Sequence, residues 1–217
     1  MSDFHFYYGS MNAGKSLDIL RTAHGIEERR MRPLVLKSKC DTRDGVDVVS
    51  SRLGMSRPCI SFSASDNLKE IVKKDIAANG QTVLILVDEA QFLTKEQVVQ
   101  LAEIADFEQI TVYAYGLRSD AFGKLFEGSE ALMAYCDRLE ELPSFCFCGA
   151  KATMNARCDS FGDVVTEGEQ IEVGGNDRYV TLCRKHWLLA QHNRRIPDTA
   201  FFRKSESKPR LGVVGKR

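Results

Sequence analysis

Gly9-Ser10-Met11-Asn12-Ala13-Gly14-Lys15-Ser16 follows the pattern G-x-x-x-x-G-K-[ST], and its flanks read as a strand and a helix. Phe4 to Tyr8 is a short aromatic-rich run, and Ser16 to Met31 carries Leu17, Leu20 and Ile26 at helical spacing. Strand, glycine turn and helix in that order restrict the chain to few folds. The glycines let several backbone N–H groups face one point, the helix start adds partial positive charge, Lys15 reaches outer phosphates and the Ser16 hydroxyl suits magnesium. An accidental glycine turn before a helix is the bland reading; a nucleoside triphosphate is the chemical one.

Further elements alternate along the chain. Pro33 to Lys37 and Cys59 to Phe62 are strand candidates separated by a polar stretch, Asp41 to Arg57, that reads as loop. The spacing predicts a helix over Asp66 to Asn79, entered after Ser65 and stopped by Gly80. Thr82 to Val87 (TVLILV) is continuously apolar, as a strand buried on both faces must be. Thr94 with Gln97 three residues on makes a capping box for another helix, and Ile110 to Tyr115 is the next strand. Alternation through residue 142 implies an α/β layer, a mostly parallel sheet flanked by helices.

Asp88 ends the TVLILV strand, where an open parallel sheet places its ligand crevice, and Glu89 follows at once. Such an acidic pair supplies a magnesium carboxylate and either a water-orienting group or a base for a substrate hydroxyl. Glu89 as a mere helix-start charge is the third reading. The residues alone leave water and alcohol both open.

The alternation stops at Pro143. Cys146 and Cys148, 34 intervening residues, then Cys183 and His186 give C-x-C and C-x2-H, four soft ligands in two close pairs. Tetrahedral zinc takes such a set and keeps no open position, so the site is expected to be structural; unconnected buried thiols are the alternative. Cys40, Cys59, Cys136 and Cys158 read as packing residues, since seven thiols do not pair off within one chain. Within the clamped segment, Gly174-Gly175 permits close backbone approach and Tyr179 offers a flat apolar face, or the pair is a hairpin tip.

Lysine plus arginine and aspartate plus glutamate are 30 each, so no global field recruits nucleic acid or an anionic membrane. No apolar run approaches the ~20 residues of a membrane span. With no signal-like N-terminal stretch, a cytoplasmic location is expected. Residues 194–217 hold eight basic and two acidic residues, with aromatics at Phe201-Phe202 alone rather than interleaved along the basic run, which reads as a solvated tail rather than a nucleic-acid arm.

Taken in order, "GSMNAGKS", "DEAQF", "GLRSDAFG" and "IEVGGNDRY" before the C…H pair resemble the zinc-containing thymidine kinases, in their bacterial or phage-like form, from about Asp3 to about His192. The resemblance implies a P-loop, RecA-like kinase domain over 1–142, a zinc-ribbon-like domain with a lasso loop over 143–193, and a tail over 194–217. It implies transfer of the ATP γ-phosphate to the 5′-hydroxyl of thymidine, with deoxyuridine as a second acceptor, Mg2+ for catalysis and Zn2+ for structure. Glu89 becomes the base and Lys15 its catalytic partner. Gly9 to Ser16, Asp88, Gln91, Asp41 and Arg43 hold ATP and magnesium.

Met11, Phe92, Leu117, Arg118, Phe122, Gln170, Ile171, Glu172, Val173, Gly174 and Tyr179 correspond to the nucleoside side. For Arg118 a phosphate or loop-ordering role and a plain surface arginine both stand. The family's usual C-x2-C is C-x-C here. A homotetramer, inhibition by thymidine triphosphate, and no nucleic-acid partner are also implied. A nucleic-acid-dependent P-loop ATPase with a zinc-ribbon module is the alternative.

Overall fold

The computed structural model describes residues 2–42, 45, 47–159, 162–170 and 179–196. Six strands form one sheet: β1 (Phe4–Gly9), β2 (Pro33–Ser38), β5 (Ile60–Phe62), β6 (Leu84–Asp88), β7 (Thr111–Leu117) and β8 (Arg138–Glu141). Their order is β5-β2-β6-β7-β1-β8, and every pairing is parallel. Parallel strands need crossovers, which α1 (Lys15–Glu27), α2 (Leu68–Asn79), α3 (Lys95–Glu108) and α4 (Glu127–Tyr135) supply.

The apolar run of β6 explains the layering. Leu84 and Leu86 pack with Ile19, Leu20 and Ala23 of α1, whereas Ile85 and Val87 join Val72 of α2, Leu101 of α3 and Leu132 of α4. Alternate side chains point to opposite faces, so a strand covered on both must be apolar at every position. Thr94 caps α3 with the expected box, its side chain accepting from Gln97 N–H while Gln97 Oε1 accepts from Thr94 N–H.

Four expectations change. Helix α1 ends at Glu27 rather than Met31, and α2 begins at Leu68 because Asn67, not Ser65, accepts the capping bond from Glu70 N–H. The polar stretch after β2 is not all loop: β3 (Val48–Ser50) and β4 (Ser56–Pro58) form an antiparallel hairpin, and Val49 is buried beneath α1. Cys40 is exposed, so it does not pack, whereas Cys158 is buried as expected.

Beyond β8 the chain builds β9 (Met154–Arg157) and β10 (Tyr179–Leu182), an antiparallel pair, and α5 (Arg184–Asn193). They share a separate small core of Ala152, Ala156, Val164, Val180, Leu182 and Ala190. No helix among the described residues is long and apolar enough to cross a membrane.

Candidate active site

The phosphate loop leaves β1 at Gly9, where an added Cβ would lie 2.8 Å from Ala13 Cβ and 2.9 Å from Leu142 O; only glycine fits. Asn12 and Gly14 both take positive φ (65° and 82°), the alternation that turns successive N–H groups inward as an anion nest. Gly14 then caps α1 without a side chain. Lys15, 9% exposed, donates to Ser10 O at 2.8 Å, folded over the loop it serves. Ser10 Oγ is buried with no hydrogen-bond partner among the described residues. Inward N–H groups, an ammonium and an unsatisfied buried hydroxyl together fit a phosphate chain.

β6 delivers Asp88 two strands away, at the same carboxyl edge. Its carboxylate accepts from Ser16 Oγ at 3.1 Å and from Glu89 N–H at 3.0 Å. Burial, followed by the adjacent Glu89 charge, pushes the Asp88 carboxyl up to about 7. A hydroxyl and a buried carboxylate in contact are the oxygen donors a P-loop presents to magnesium. Glu89 itself adopts left-handed backbone (φ 52°, ψ 41°), unusual for a β-carbon residue and strained. That conformation turns the chain from β6 into the short turn Ala90–Phe92. Gln91 donates from Nε2 to the Glu89 carboxylate and accepts Leu117 N–H on Oε1 at 3.0 Å.

A cavity of about 530 Å³ joins these groups. Met11 to Ser16, Asp41, Asp88, Glu89 and Gln91 line it together with Phe92, Leu117, Gln170 and Tyr179, so most of the expected residues meet in one place. Phe122 and Arg118 do not line it. The Phe122 ring instead lies 5.1 Å beneath the Arg157 guanidinium, and Arg118 Nη2 donates to Thr153 O at 3.4 Å, a tie between the β7 loop and the small unit. Arg43 and residues 171–174 fall outside the described residues, as do 197–217 of the expected tail.

Several site residues escape sequence reasoning. Lys37, 1% exposed, donates to Gly45 O (3.0 Å) and Val48 O (3.1 Å) and pairs with Asp41 (3.2 Å), fixing that acid at the cavity rim. Its position opposite Asp88 in the β2–β6 register puts it there, and no motif announces it. Asp120 accepts from the Phe122 and Lys124 backbone N–H groups on one oxygen and from Gln170 Nε2 on the other, at 2.8–3.0 Å. It thereby ties the "GLRSDAFG" turn to the start of the glycine-pair segment. Phe126 lines the cavity and meets Phe92 edge-on at 5.9 Å.

In the small unit the donor atoms of Cys146, Cys148, Cys183 and His186 lie within 4.8 Å of one another. Cys183 Sγ is 3.3 Å from His186 Nδ1 and 4.0 Å from Cys148 Sγ, separations near those of a ZnS3N tetrahedron. The Ala150 backbone N–H lowers the Cys148 thiol from its ordinary value, favouring the thiolate a metal takes. Donor set and spacing fit structural zinc.

A phosphate loop and an acidic pair at the carboxyl edge of a parallel sheet define the P-loop α/β class. Residues 2–187 match the family model described as Thymidine kinase. The chain is 47% identical over 194 residues to the thymidine kinase of Rhodopirellula baltica (89% of this chain, 92% of that one). It is 45% identical to that of Idiomarina loihiensis (88% and 98%) and 43% identical to that of Legionella pneumophila (94% and 98%). The chain belongs to the thymidine kinase family, and it is a kinase rather than the ATPase left open above.

Proposed function

We propose that this chain transfers the γ-phosphoryl group of ATP to the 5′-hydroxyl of thymidine, or of deoxyuridine, giving the 5′-monophosphate and ADP. The observation that carries the reading is a single cavity in which the phosphate loop and the Ser16–Asp88 pair share walls with Glu89 and with the apolar side chains Met11, Phe92 and Leu117. The loop N–H groups and Lys15 bind the phosphate chain and neutralise charge that builds as the bond to the leaving oxygen lengthens. Ser16, Asp88 and Asp41 are the groups that hold Mg2+, which when bound supplies charge neutralisation at the transferring phosphoryl group. Glu89 takes the proton of the attacking hydroxyl, and Gln91 aims its carboxylate. Gln170 and Tyr179 line the cavity at the nucleoside end, and exclusion of water there favours transfer to the alcohol over hydrolysis.

Further parts of the reading rest on family membership. They are structural Zn2+ on Cys146, Cys148, Cys183 and His186, a division at 1–142, 143–193 and 194–217, a homotetramer in the cytoplasm, and feedback by thymidine triphosphate. Zinc-loaded protein incubated with labelled thymidine, ATP and Mg2+ is the direct test. Labelled monophosphate formed in step with ADP is expected; ADP formed without monophosphate sinks the assignment.

A further inference from the structure

Met11 sits in the phosphate loop, yet both of its backbone polar groups are satisfied from the small unit. Its N–H donates to Asn155 Oδ1 at 2.9 Å, and its carbonyl accepts from Thr181 Oγ1 at 3.0 Å. Asn155 and Thr181 are opposite one another in the β9–β10 register, and both are buried, at 3% and 8% exposed. A cross-strand pair thus grips one residue from both sides.

The grip acts where the loop is most constrained, one residue before Asn12 with its positive φ. A small displacement of Met11 re-aims the N–H groups that follow it. On β10 the period of two puts Tyr179 and Thr181 on one face, and Cys183 follows at the same spacing. Tyr179 lines the cavity, Thr181 holds the phosphate loop, and Cys183 belongs to the metal cluster. Asn155 lines the cavity as well, and its backbone oxygen accepts from Trp187 Nε1 at 3.0 Å. The strand pair therefore touches the nucleoside end of the cavity and fixes the phosphate end.

We propose that Asn155 and Thr181 are positioning residues for the phosphate loop, and that through them occupancy of the nucleoside end tightens nucleotide binding at the phosphate end. The inference rests on the kinase reading above. A nucleoside that orders β9 and β10 leaves less of the loop to be ordered by nucleotide, and the coupling is reciprocal by linkage.

Calorimetric titration of Mg-ADP, with and without saturating thymidine, measures the coupling without turnover. In the wild-type chain thymidine is expected to lower the ADP Kd about fivefold or more, the scale of ordinary coupling between sites. Thr181→Val keeps the shape but removes the donor, and Asn155→Leu removes the acceptor; each should bring the ratio to within about twofold of one. Thr181→Ser restores the hydroxyl and should restore the ratio, which a general loosening of the small unit does not predict. A wild-type ratio near one, or a full ratio in both Thr181→Val and Asn155→Leu, overturns the inference while leaving the kinase reading in place. A wild-type chain that binds no ADP overturns the kinase reading itself.

Discussion

Gln91 holds Glu89 on one side and the backbone of Leu117 on the other, so the main chain that ends β7 and the acid that follows β6 are joined by one amide. The acid is aimed by a neighbour whose own orientation is fixed by the sheet. For Glu89→Gln we expect nucleotide binding to stay within about threefold and turnover to fall ~10²-fold or more, the scale of general-base catalysis. Gln91→Ala should lower turnover by about tenfold, because a base that is present but unaimed loses part of that factor. Rapid-quench measurement of monophosphate formation checks both; near-normal turnover in Glu89→Gln would falsify its role as base.

Removal of zinc should unfold the small unit and leave the parallel sheet intact. Its core has few large side chains, and a metal clamp on a 34-residue loop is the staple such a core needs. Trp187 is the chain's one tryptophan, next to His186 in the cluster, and its indole N–H donates to Ala121 O and Asn155 O. Chelator should therefore red-shift its fluorescence with little loss of helical circular dichroism. An unchanged spectrum after complete zinc release counts against a structural metal.

Lys37→Met should destabilise the chain by about 3 kcal/mol, since it takes a cation from buried Asp41 and a donor from two carbonyl oxygens. Urea denaturation followed by circular dichroism gives the value. A loss under about 1 kcal/mol would show that the pair contributes little.

Alkali should weaken the fold before neutral conditions do. Burial pushes the thiols of Cys59 and Cys158 up to about 11 and that of Cys136 up to about 12, and it raises the Tyr7 and Tyr115 hydroxyls as well. The unfolded chain releases those protons near its ordinary values, ~8.5 for cysteine and ~10 for tyrosine. Their contribution is thus complete below ~8.5 and lost as pH climbs towards the folded values. The urea midpoint should be flat from these groups between pH 7 and 8 and fall between pH 9 and 11; a midpoint that holds to pH 11 contradicts it.

Gly128→Ala at the start of α4 should cost about 1–3 kcal/mol despite alanine's better helix propensity. A Cβ there would lie 2.7 Å from Ala90 O and Leu93 O and 2.8 Å from Gln91 O, so α4 would have to retreat from the turn that carries Gln91. Turnover should drop along with stability. A variant as stable and active as the parent would mean that the helix moves freely.

What could be read from the residues was what local chemistry encodes. The phosphate loop, the capping box at Thr94 and Gln97, and the doubly buried strand ending at Asp88 each follow from a short pattern with one physical solution. The cysteine and histidine pairs are local too, and only their meeting needs the fold. Lys37 and the pair Asn155 and Thr181 were not legible, because strand register sets their neighbours, and Asp120 was not because its tie to Gln170 spans 50 residues between two loops. The β3–β4 hairpin was missed for a different reason: Val48, Val49 and Ser50 are too few to show alternation, and burial of Val49 beneath α1 is a tertiary fact. Phe122 reads as a pocket aromatic from its motif, whereas Arg157, 35 residues on, takes its ring face.

The strand order has a consequence for how the protein comes into being. β1, made before the other described strands, finds its two neighbours only in β7 and β8, at residues 111–117 and 138–141. Until the ribosome has delivered those segments, the loop that follows β1 has nothing to hold its entry strand, and the grip on Met11 arrives later still with Asn155 and Thr181. The phosphate loop is therefore translated before the strands and the grip that hold it. Nucleotide captured by nascent chains of increasing length would record the closing of the sheet, with slow, non-local pairing setting its pace.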